Sequence, residues 1–120
     1  MTASREAIEA LLPLPPATLH ILVSLAEGER HGYAIIQDVE ARTAGELRLS
    51  AGTLYRSIQR MLDQGLIVES RRRPAAALDD ERRRYYRITP LGKSAARAEV
   101  GRLSELVRLA RASGLSPETA

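Results

Sequence analysis

The chain has 120 residues, a formal net charge of +3 and no cysteine. This length supports one domain with a single core, and the lack of cysteine excludes a disulfide scaffold, a thiolate nucleophile and a zinc ribbon. With 44% hydrophobic and 28% charged residues, the composition is ordinary for a soluble globular protein. No run of Ile, Leu and Val is longer than the three residues at 21–23, and Arg5 and Glu6 interrupt the N-terminus, so we expect neither a membrane span nor a signal peptide. These features predict a cytoplasmic protein with no membrane partner.

The N-terminal segment 1–13 is predicted to form a short helix, because Ile8, Leu11 and Leu12 recur at helical spacing and a proline at 13 then ends it. A first core helix is predicted from Pro16, which suits a helix N-terminus, to about residue 28. Its apolar stripe consists of Leu19, Leu22, Val23 and Ala26. A second core helix follows the turn at 29–32 and reaches about residue 43, with an apolar stripe of Ile35, Ile36 and Val39.

A third core helix is predicted to begin at Ser50, whose hydroxyl can cap it, and to end at Gly65. Residues 47–49 alternate just before it and predict a strand fragment. The apolar positions of the helix share one face and are Leu54, Ile58, Met61 and Leu62. The other faces are polar and free for solvent or a partner; they carry Thr53, Arg56, Ser57, Arg60 and Gln64.

Two short strands follow, around residues 66–69 and 85–88, and the loop between them is strongly basic. The segment 69–87 holds seven arginines against four acidic residues, which accounts for the whole net charge of +3. A charge excess confined to one hairpin indicates contact with a polyanion, although a solvated loop is the plain alternative. The arginines expected to contact DNA from this hairpin are Arg71, Arg72, Arg73, Arg82, Arg83 and Arg84.

The C-terminal helix is predicted over residues 91–113, followed by a flexible tail at 114–120. The seam of a coiled coil is predicted from apolar residues at successive intervals of 4, 3, 4 and 3, namely Ala96, Val100, Leu103, Val107 and Ala110. Leu106 and Leu109 widen it. The helix could fold back on its own domain, but so long a stripe after a small core favours a homodimer. Ile8, Leu11 and Leu12 of the N-terminal helix are predicted to join the same interface.

Three short helices followed by a basic two-stranded hairpin form the order of a winged helix-turn-helix, so we predict a mainly α fold with a DNA-binding domain over residues 14–92. An α-helix fills the major groove of DNA, and a basic hairpin beside it reaches the flanking backbone. Thr53, Tyr55 and Arg56 are placed in the first turn of the third helix, where Gly52 allows a close approach of the backbone. The predicted DNA-contacting residues of the helices are Tyr33, Ser50, Gly52, Thr53, Tyr55, Arg56 and Arg60, of which Tyr33 and Tyr55 could instead pack inside the domain.

The chain resembles the PadR family of bacterial transcriptional regulators in four stretches: His31-Gly32-Tyr33, Gly52-Thr53-Leu54-Tyr55, Gly65-Leu66-Ile67, and 84–89 followed by Gly92. The resemblance covers about residues 14–92. It implies a dimeric winged-helix protein that binds palindromic operators, usually as a repressor, and releases DNA on binding a small effector or through another signal. It also implies the short type of PadR protein with a single C-terminal helix, because 120 residues cannot supply the larger C-terminal domain of the long type.

Other functions find less support in the sequence. With two histidines and no cysteine, no metal site is predicted, and no catalytic set or cofactor is expected. The alternative to an operator-binding repressor is a winged-helix interaction or nucleoid-associated module without operator specificity, which explains the seam and the charge equally well. An effector site would lie between the C-terminal helices and the winged domains. Multidrug-binding members of the family that the chain resembles use an aromatic residue in the C-terminal helix to stack planar ligands. No aromatic residue follows Tyr86 here, so an aliphatic ligand, or no ligand at all, is favoured over a planar aromatic one.

Overall fold

The computed structural model describes residues 4–70 and 84–117 of the chain. Within these ranges the helices and strands follow the predicted order of a winged helix-turn-helix. They are α1 (Arg5–Glu9), α2 (Pro16–Leu25), β1 (Arg30–His31), α3 (Gly32–Arg42), α4 (Ala51–Gln64), β2 (Ile67–Glu69), β3 (Tyr85–Ile88) and α5 (Pro90–Ala112). The predicted fold class is confirmed, since the chain is mainly helical and adds a small antiparallel sheet.

The helix α4 begins and ends at residues that satisfy its free backbone groups. The Ser50 hydroxyl accepts a hydrogen bond from the Thr53 amide (3.1 Å), as predicted for a helix cap. Gly65 ends the helix in the left-handed conformation, with a φ of 76°, which glycine adopts without a Cβ clash. These two ends fix the register of α4 and therefore decide which of its side chains face outward.

The core lies between α2, α3 and α4, and the small sheet closes it. It is built from aliphatic side chains, and Tyr86 is its one buried aromatic residue among those described. The largest side chains that are fully buried are Ile21, Leu22, Leu25, Ile35, Leu54, Met61, Leu66 and Ile67. Burial of this apolar surface is the main stabilising contribution to the domain.

The sheet has the strand order β1-β3-β2, and both pairs of strands are antiparallel. Strands β2 and β3 form the base of the predicted hairpin, with Ile67 opposite Ile88 and Glu69 opposite Tyr86. Strand β1 was not predicted. It has only two residues, Arg30 and His31, and it pairs with the other edge of β3.

Two local predictions were wrong. Residues 47–49 form no strand, because the Leu47 amide donates to the Thr43 hydroxyl (3.0 Å) and ties the segment back to the end of α3. The helix α1 ends at Glu9 instead of continuing to Leu12. After it the backbone tightens, since the amides of residues 11 and 12 bond to carbonyls three residues earlier. Leu11 and Leu12 thereby pack against the core of their own chain.

The first half of α5 is fixed to the domain at its N-terminus. The Thr89 hydroxyl accepts from the Gly92 amide (3.0 Å) and donates to the Gly65 carbonyl (2.6 Å). Gly92 lies so close to β2 that a Cβ there would be 2.1 Å from the Leu66 carbonyl oxygen. From Val100 onward, nearly every side chain of α5 is exposed. The helices of the described ranges are each too short or too polar to span a membrane.

Candidate nucleic-acid interface

The helix α4 presents three faces with different surroundings. The apolar face is buried and consists of Leu54, Ile58 and Met61. With 3.6 residues per turn, Thr53, Arg56, Ser57 and Arg60 lie together on a second face, whereas Tyr55, Gln59 and Leu62 lie on a third. The structure places a groove against each of the two outer faces.

The first groove, which we call the α2–α4 groove, lies between the N-terminus of α2 and the second face of α4. It has a volume of about 160 Å³ and is lined by Pro15, Thr18, Thr53, Arg56, Ser57 and Arg60. These residues supply two guanidinium groups and three hydroxyl groups, and none of them is acidic. Neither arginine forms an ion pair with a carboxylate elsewhere in residues 4–70 or 84–117. The groove therefore favours an anionic group.

The Arg56 side chain extends back towards the N-terminus of α4, as long side chains in helices do. A Cβ on Gly52 would be 3.3 Å from its Nη1 atom. Glycine at this position leaves space for the guanidinium group beside the backbone. The helix begins after its predicted cap, so Thr53 lies in the first turn of α4 as expected, whereas Tyr55 and Arg56 lie at the start of the second turn and not in the first.

The second groove, the α4–wing cavity, lies between α4 and the sheet. It has a volume of about 480 Å³ and is lined by Tyr55, Ile58, Gln59, Leu62, Glu69, Arg84 and Tyr86. Burial raises the pKa of Tyr86, and the nearby Glu69 carboxylate raises it further against the opposing charge of Arg84. Glu69 and Arg84 are 3.8 Å apart, so each partly neutralises the other.

Tyr55 contacts the start of α3 across this face. A Cβ added to Gly32 would be 2.7 Å from the Tyr55 hydroxyl oxygen, so glycine is needed there to accommodate the ring. Tyr33 follows Gly32 and is 64% exposed, whereas Tyr55 is 45% exposed. Tyr55 thus both packs against α3 and keeps part of its surface towards solvent, while Tyr33 is largely free to meet a partner.

An ion-pair network connects the end of α2 with α3. The Arg42 guanidinium bonds to Asp38 (2.7 Å) and to Glu27, and Arg30 lies 3.5 Å from Asp38. Burial raises the pKa of Asp38, but the nearby Ser24 hydroxyl, the hydrogen bond from Arg42 and the charges of Arg30 and Arg42 outweigh it and lower the pKa overall. The network keeps Asp38 ionised and fixes the packing of α2 on α3.

The predicted site residues divide among these surroundings. Thr53, Arg56 and Arg60 line the α2–α4 groove, and Tyr55 and Arg84 line the α4–wing cavity. Ser50 is occupied as the cap of α4. The remaining hairpin arginines, Arg71, Arg72, Arg73, Arg82 and Arg83, lie outside the described residues.

Two residues of this surface were missed by the sequence analysis. Gln59 is exposed, lies one turn beyond Tyr55 and donates to Asp63 (3.2 Å); its helical spacing from Gly52 and Arg56 could have indicated it. Thr18 lies on α2 and lines the α2–α4 groove. No local pattern indicates Thr18, because its surroundings are supplied by a different helix.

The predicted seam on α5 is partly buried near the domain and exposed beyond it. Ala96 packs against the core, whereas the distal residues that are large and exposed are Val100, Leu103, Leu106, Val107 and Leu109. Ile8 of α1 is partly buried, and Leu11 and Leu12 pack against their own core. The distal half of α5 therefore offers an apolar stripe that the single chain leaves uncovered.

Comparisons with known proteins match this chain to transcriptional regulators. Residues 21–98 match the model of the family described as transcriptional regulator PadR-like. The transcriptional regulator Rv3488 of Mycobacterium tuberculosis is 37% identical over 90 residues, which cover 75% of this chain and 78% of that protein. A transcriptional regulator from Clostridium thermocellum has a similar structure, with a TM-score of 0.66 and 24% identity, covering 92% of this chain and 96% of that one.

Bacillus subtilis PadR, solved in complex with operator DNA, has a TM-score of 0.62 to this chain and 20% identity. The match covers 73% of this chain and 48% of the PadR chain. At these identities the two solved structures indicate a shared fold.

Proposed function

Because the chain belongs to the PadR-like family of transcriptional regulators, we propose that it is a homodimeric repressor that binds a palindromic operator on the chromosome, in the cytoplasm of a bacterial cell. As a member of this family it is a regulator and not an enzyme. The observation that carries the proposal is the α2–α4 groove, where Arg56 and Arg60 face a surface to which the described residues contribute no acidic side chain. Such a surface suits the phosphate backbone and the acceptor-rich edge of guanine.

In this proposal α4 is the recognition helix and enters the major groove. Its outward residues are polar, its N-terminal end carries no bulky side chain at Gly52, and Arg56 and Gln59 lie where base edges would be met. Bacillus subtilis PadR, whose structure contains operator DNA, shares this fold and supports the assignment. Arg56 is expected to read guanine, and Gln59 is a further candidate for base contact.

The wing, which is the hairpin of β2, β3 and the loop between them, is expected to hold the DNA backbone beside α4. Arg84 lies exposed at the start of β3 and lines the same cavity as Tyr55. The two arginine triplets of the loop, of which only Arg84 belongs to the described residues, would add contacts to phosphate that raise affinity for any sequence.

The distal half of α5 is proposed to pair with the same helix of a second subunit. Leu106 is 54% exposed and Leu109 is 49% exposed, and an uncovered apolar stripe of this length marks an association surface. Pairing of two identical stripes is a twofold arrangement, which would set two copies of α4 in successive major grooves about one helical turn apart.

An effector is proposed to bind in the cavity between α2 and α5. This cavity has a volume of about 440 Å³ and is lined by Leu22, Val23, Ala26, Ile88, Lys93, Ala96, Arg97 and Val100. Aliphatic walls with two cations at one helix face suit an aliphatic carboxylate. Titration of medium-chain carboxylates into the operator complex tests this, and an operator that stays bound throughout contradicts it.

Selection of bound sites from a random DNA library tests the central proposal, because it reports specificity, palindromy and half-site spacing together. A palindrome with half-sites about one helical turn apart is expected. The Arg56→Ala variant should lose about 10- to 100-fold in affinity for that site. The control is Arg5→Ala, which removes an equally charged and highly exposed arginine on α1 and should bind normally.

Enrichment of no consensus sequence, with equal affinity for selected and random DNA, would instead favour the interaction or nucleoid-associated module. Normal operator binding by Arg56→Ala would remove α4 from the recognition role. Transcription in vitro from a promoter that overlaps the selected site tests the direction of control, and an increase in transcript on adding the protein would contradict repression.

A further inference from the structure

The N-terminus of α2 is unusual among the helices of this domain because no side chain caps it. Its cap position is Pro15 and its first residue is Pro16, neither of which can donate a backbone hydrogen bond. The Leu19 amide bonds to the Pro15 carbonyl, so the free donors of the first turn are the amides of Ala17 and Thr18. By contrast, side chains cap α1, α3, α4 and α5.

Thr18 adds a side-chain hydroxyl to the free backbone amides at this end of the helix. The residue is 3% exposed and lines the α2–α4 groove, yet its hydroxyl has no hydrogen-bond partner in the described part of the chain. The Thr18 hydroxyl oxygen is not fully enclosed, in contrast to Ser24 Oγ, so it opens on the groove although the rest of the residue is buried. A hydroxyl that opens on the groove from a buried residue, and that has no partner within the described residues, is available to an acceptor bound there.

The charge of the groove identifies the kind of acceptor. Arg60 and Arg56 line it from α4, and no acidic residue among those described does so. The two free amides stand at the positive end of the helix dipole of α2. Its volume of about 160 Å³ is well below the roughly 300 Å³ at which pockets for small organic ligands begin. A single anionic group with several acceptor oxygens therefore fits better than an organic ligand.

We propose that the α2–α4 groove holds one phosphate of the DNA backbone in each half-site, bound by the Thr18 hydroxyl, the amides of Ala17 and Thr18, and the Arg60 guanidinium. This inference rests on the proposed DNA-binding function. It assigns α2 a positioning role: the phosphate contact fixes how far α4 enters the major groove and at which angle, and thus which bases Arg56 can reach.

The test uses the selected operator with a single neutral methylphosphonate placed in turn at each backbone position of a half-site. With the wild-type protein, one position should weaken binding by about 5- to 20-fold, because a charge-assisted contact is lost there. Thr18→Val should weaken binding to the unmodified operator by about 3- to 10-fold and should show a much smaller further loss at that position.

Two further variants separate binding from folding. Thr18→Ser keeps the hydroxyl, so it should bind with wild-type affinity and remain sensitive to the methylphosphonate at that phosphate. Thr18→Val should leave the melting temperature unchanged or higher, since it removes an unpartnered hydroxyl. Arg60→Gln alters an exposed side chain that the core does not need, and it should lose sensitivity at the same phosphate.

The outcomes are distinguishable. A protein that binds no DNA overturns the proposed function and this inference with it. A protein that binds the operator in an Arg56-dependent way, but for which Thr18→Val has no effect or lowers affinity equally at all modified positions, overturns only the inference. Binding of inorganic phosphate that shifts the Thr18 amide resonance without any operator phosphate coupled to Thr18 would assign the groove to a free anion and would likewise overturn it.

Discussion

The helix α4 and the distal half of α5 (residues 100–112) both face solvent in the single chain, but their exposed surfaces have opposite chemistry. On α4 Leu54, Ile58 and Met61 are buried, and the outward positions carry Arg56, Gln59 and Arg60. On distal α5 the outward positions include Leu106 and Leu109, which are about half exposed. A polar face is stable in water without a partner, so its partner must be inferred from charge. An apolar stripe is unfavourable in water and by itself indicates that another apolar surface covers it.

These two surfaces are connected by a buried charge on α5. Glu99 is only 2% exposed, forms a two-pronged pair with Arg102 (2.6 and 2.9 Å) and lines the same pocket as Leu14, whose backbone lowers the pKa of Glu99. Leu14 leads into Pro15, which lines the α2–α4 groove. The segment before the groove is thus tied directly to the helix that carries the seam.

The largest expected effect comes from a charge on the seam. Val107→Glu places a carboxylate in the middle of the stripe, where a partner helix would have to bury it, and the dimer dissociation constant should rise by more than about 100-fold. Operator affinity should fall with it, since each subunit would then bind a half-site alone. Sedimentation and operator titration measure the two effects.

Gly101→Glu is the matched control for this variant. It adds the same charge to the same helix, on the side opposite the seam, where a Cβ has no heavy atom within 4 Å. This variant should remain dimeric. A Val107→Glu protein that stays dimeric as well would show that the exposed stripe is not the association surface. The apolar surface of α5 would then not indicate a partner helix.

A smaller effect is expected at the connection between the surfaces. The hydrogen bonds from Arg102 lower the pKa of Glu99 against the opposing effect of burial, and the Leu14 amide lowers it further. A carboxylate whose pKa is lowered by folding contributes its full stabilisation at pH values above its ordinary pKa of 4.5. This contribution is lost as the pH falls through the pKa of the folded state. Glu99→Gln should therefore cost about 1–2 kcal/mol at neutral pH, and the difference from wild type should shrink in acid.

Chemical denaturation at several pH values measures this dependence. The matched control is Glu105→Gln, because Glu105 pairs with Arg108 at the same spacing and distance but stands in solvent. Solvent screening should make its effect on unfolding small at every pH. Equal effects of the two variants would mean that Glu99 acts as an ordinary surface pair and does not tie α5 to the Leu14 segment.

The features that the sequence predicted are those decided by neighbours in the chain. Ser50 and Gly65 mark the ends of α4 through local capping chemistry, and the apolar stripe of α5 follows from its own spacing. The strand β1 could not be predicted, because Arg30 and His31 become a strand only when β3 lies beside them. Thr18 belongs to the same class: its sequence neighbours place it on a helix, but its burial beside two arginines depends on how α4 packs against α2.

The smallest expected effect concerns the backbone of α4 itself. Gly52→Ala replaces a residue of low helix propensity by the best one and should raise the free energy of unfolding by up to about 1 kcal/mol. The new Cβ would lie 3.3 Å from the Arg56 guanidinium, which can move aside because it ends a flexible side chain. On DNA, however, the same methyl group would stand between the helix backbone and the bases. We therefore expect operator affinity to fall about 3- to 10-fold although the protein is more stable.

Gly101→Ala gives the comparison that this prediction needs, because it makes the same substitution inside α5 at a position with open space around it. It should raise stability and leave operator affinity unchanged. If both glycine variants gain stability and only Gly52→Ala loses affinity, the loss arises from contact with DNA and not from a general stiffening of helices. If Gly52→Ala binds the operator as tightly as wild type, the backbone of α4 does not approach DNA closely at this end. The contacts of the recognition helix would then have to begin further along, at Arg56 and Gln59.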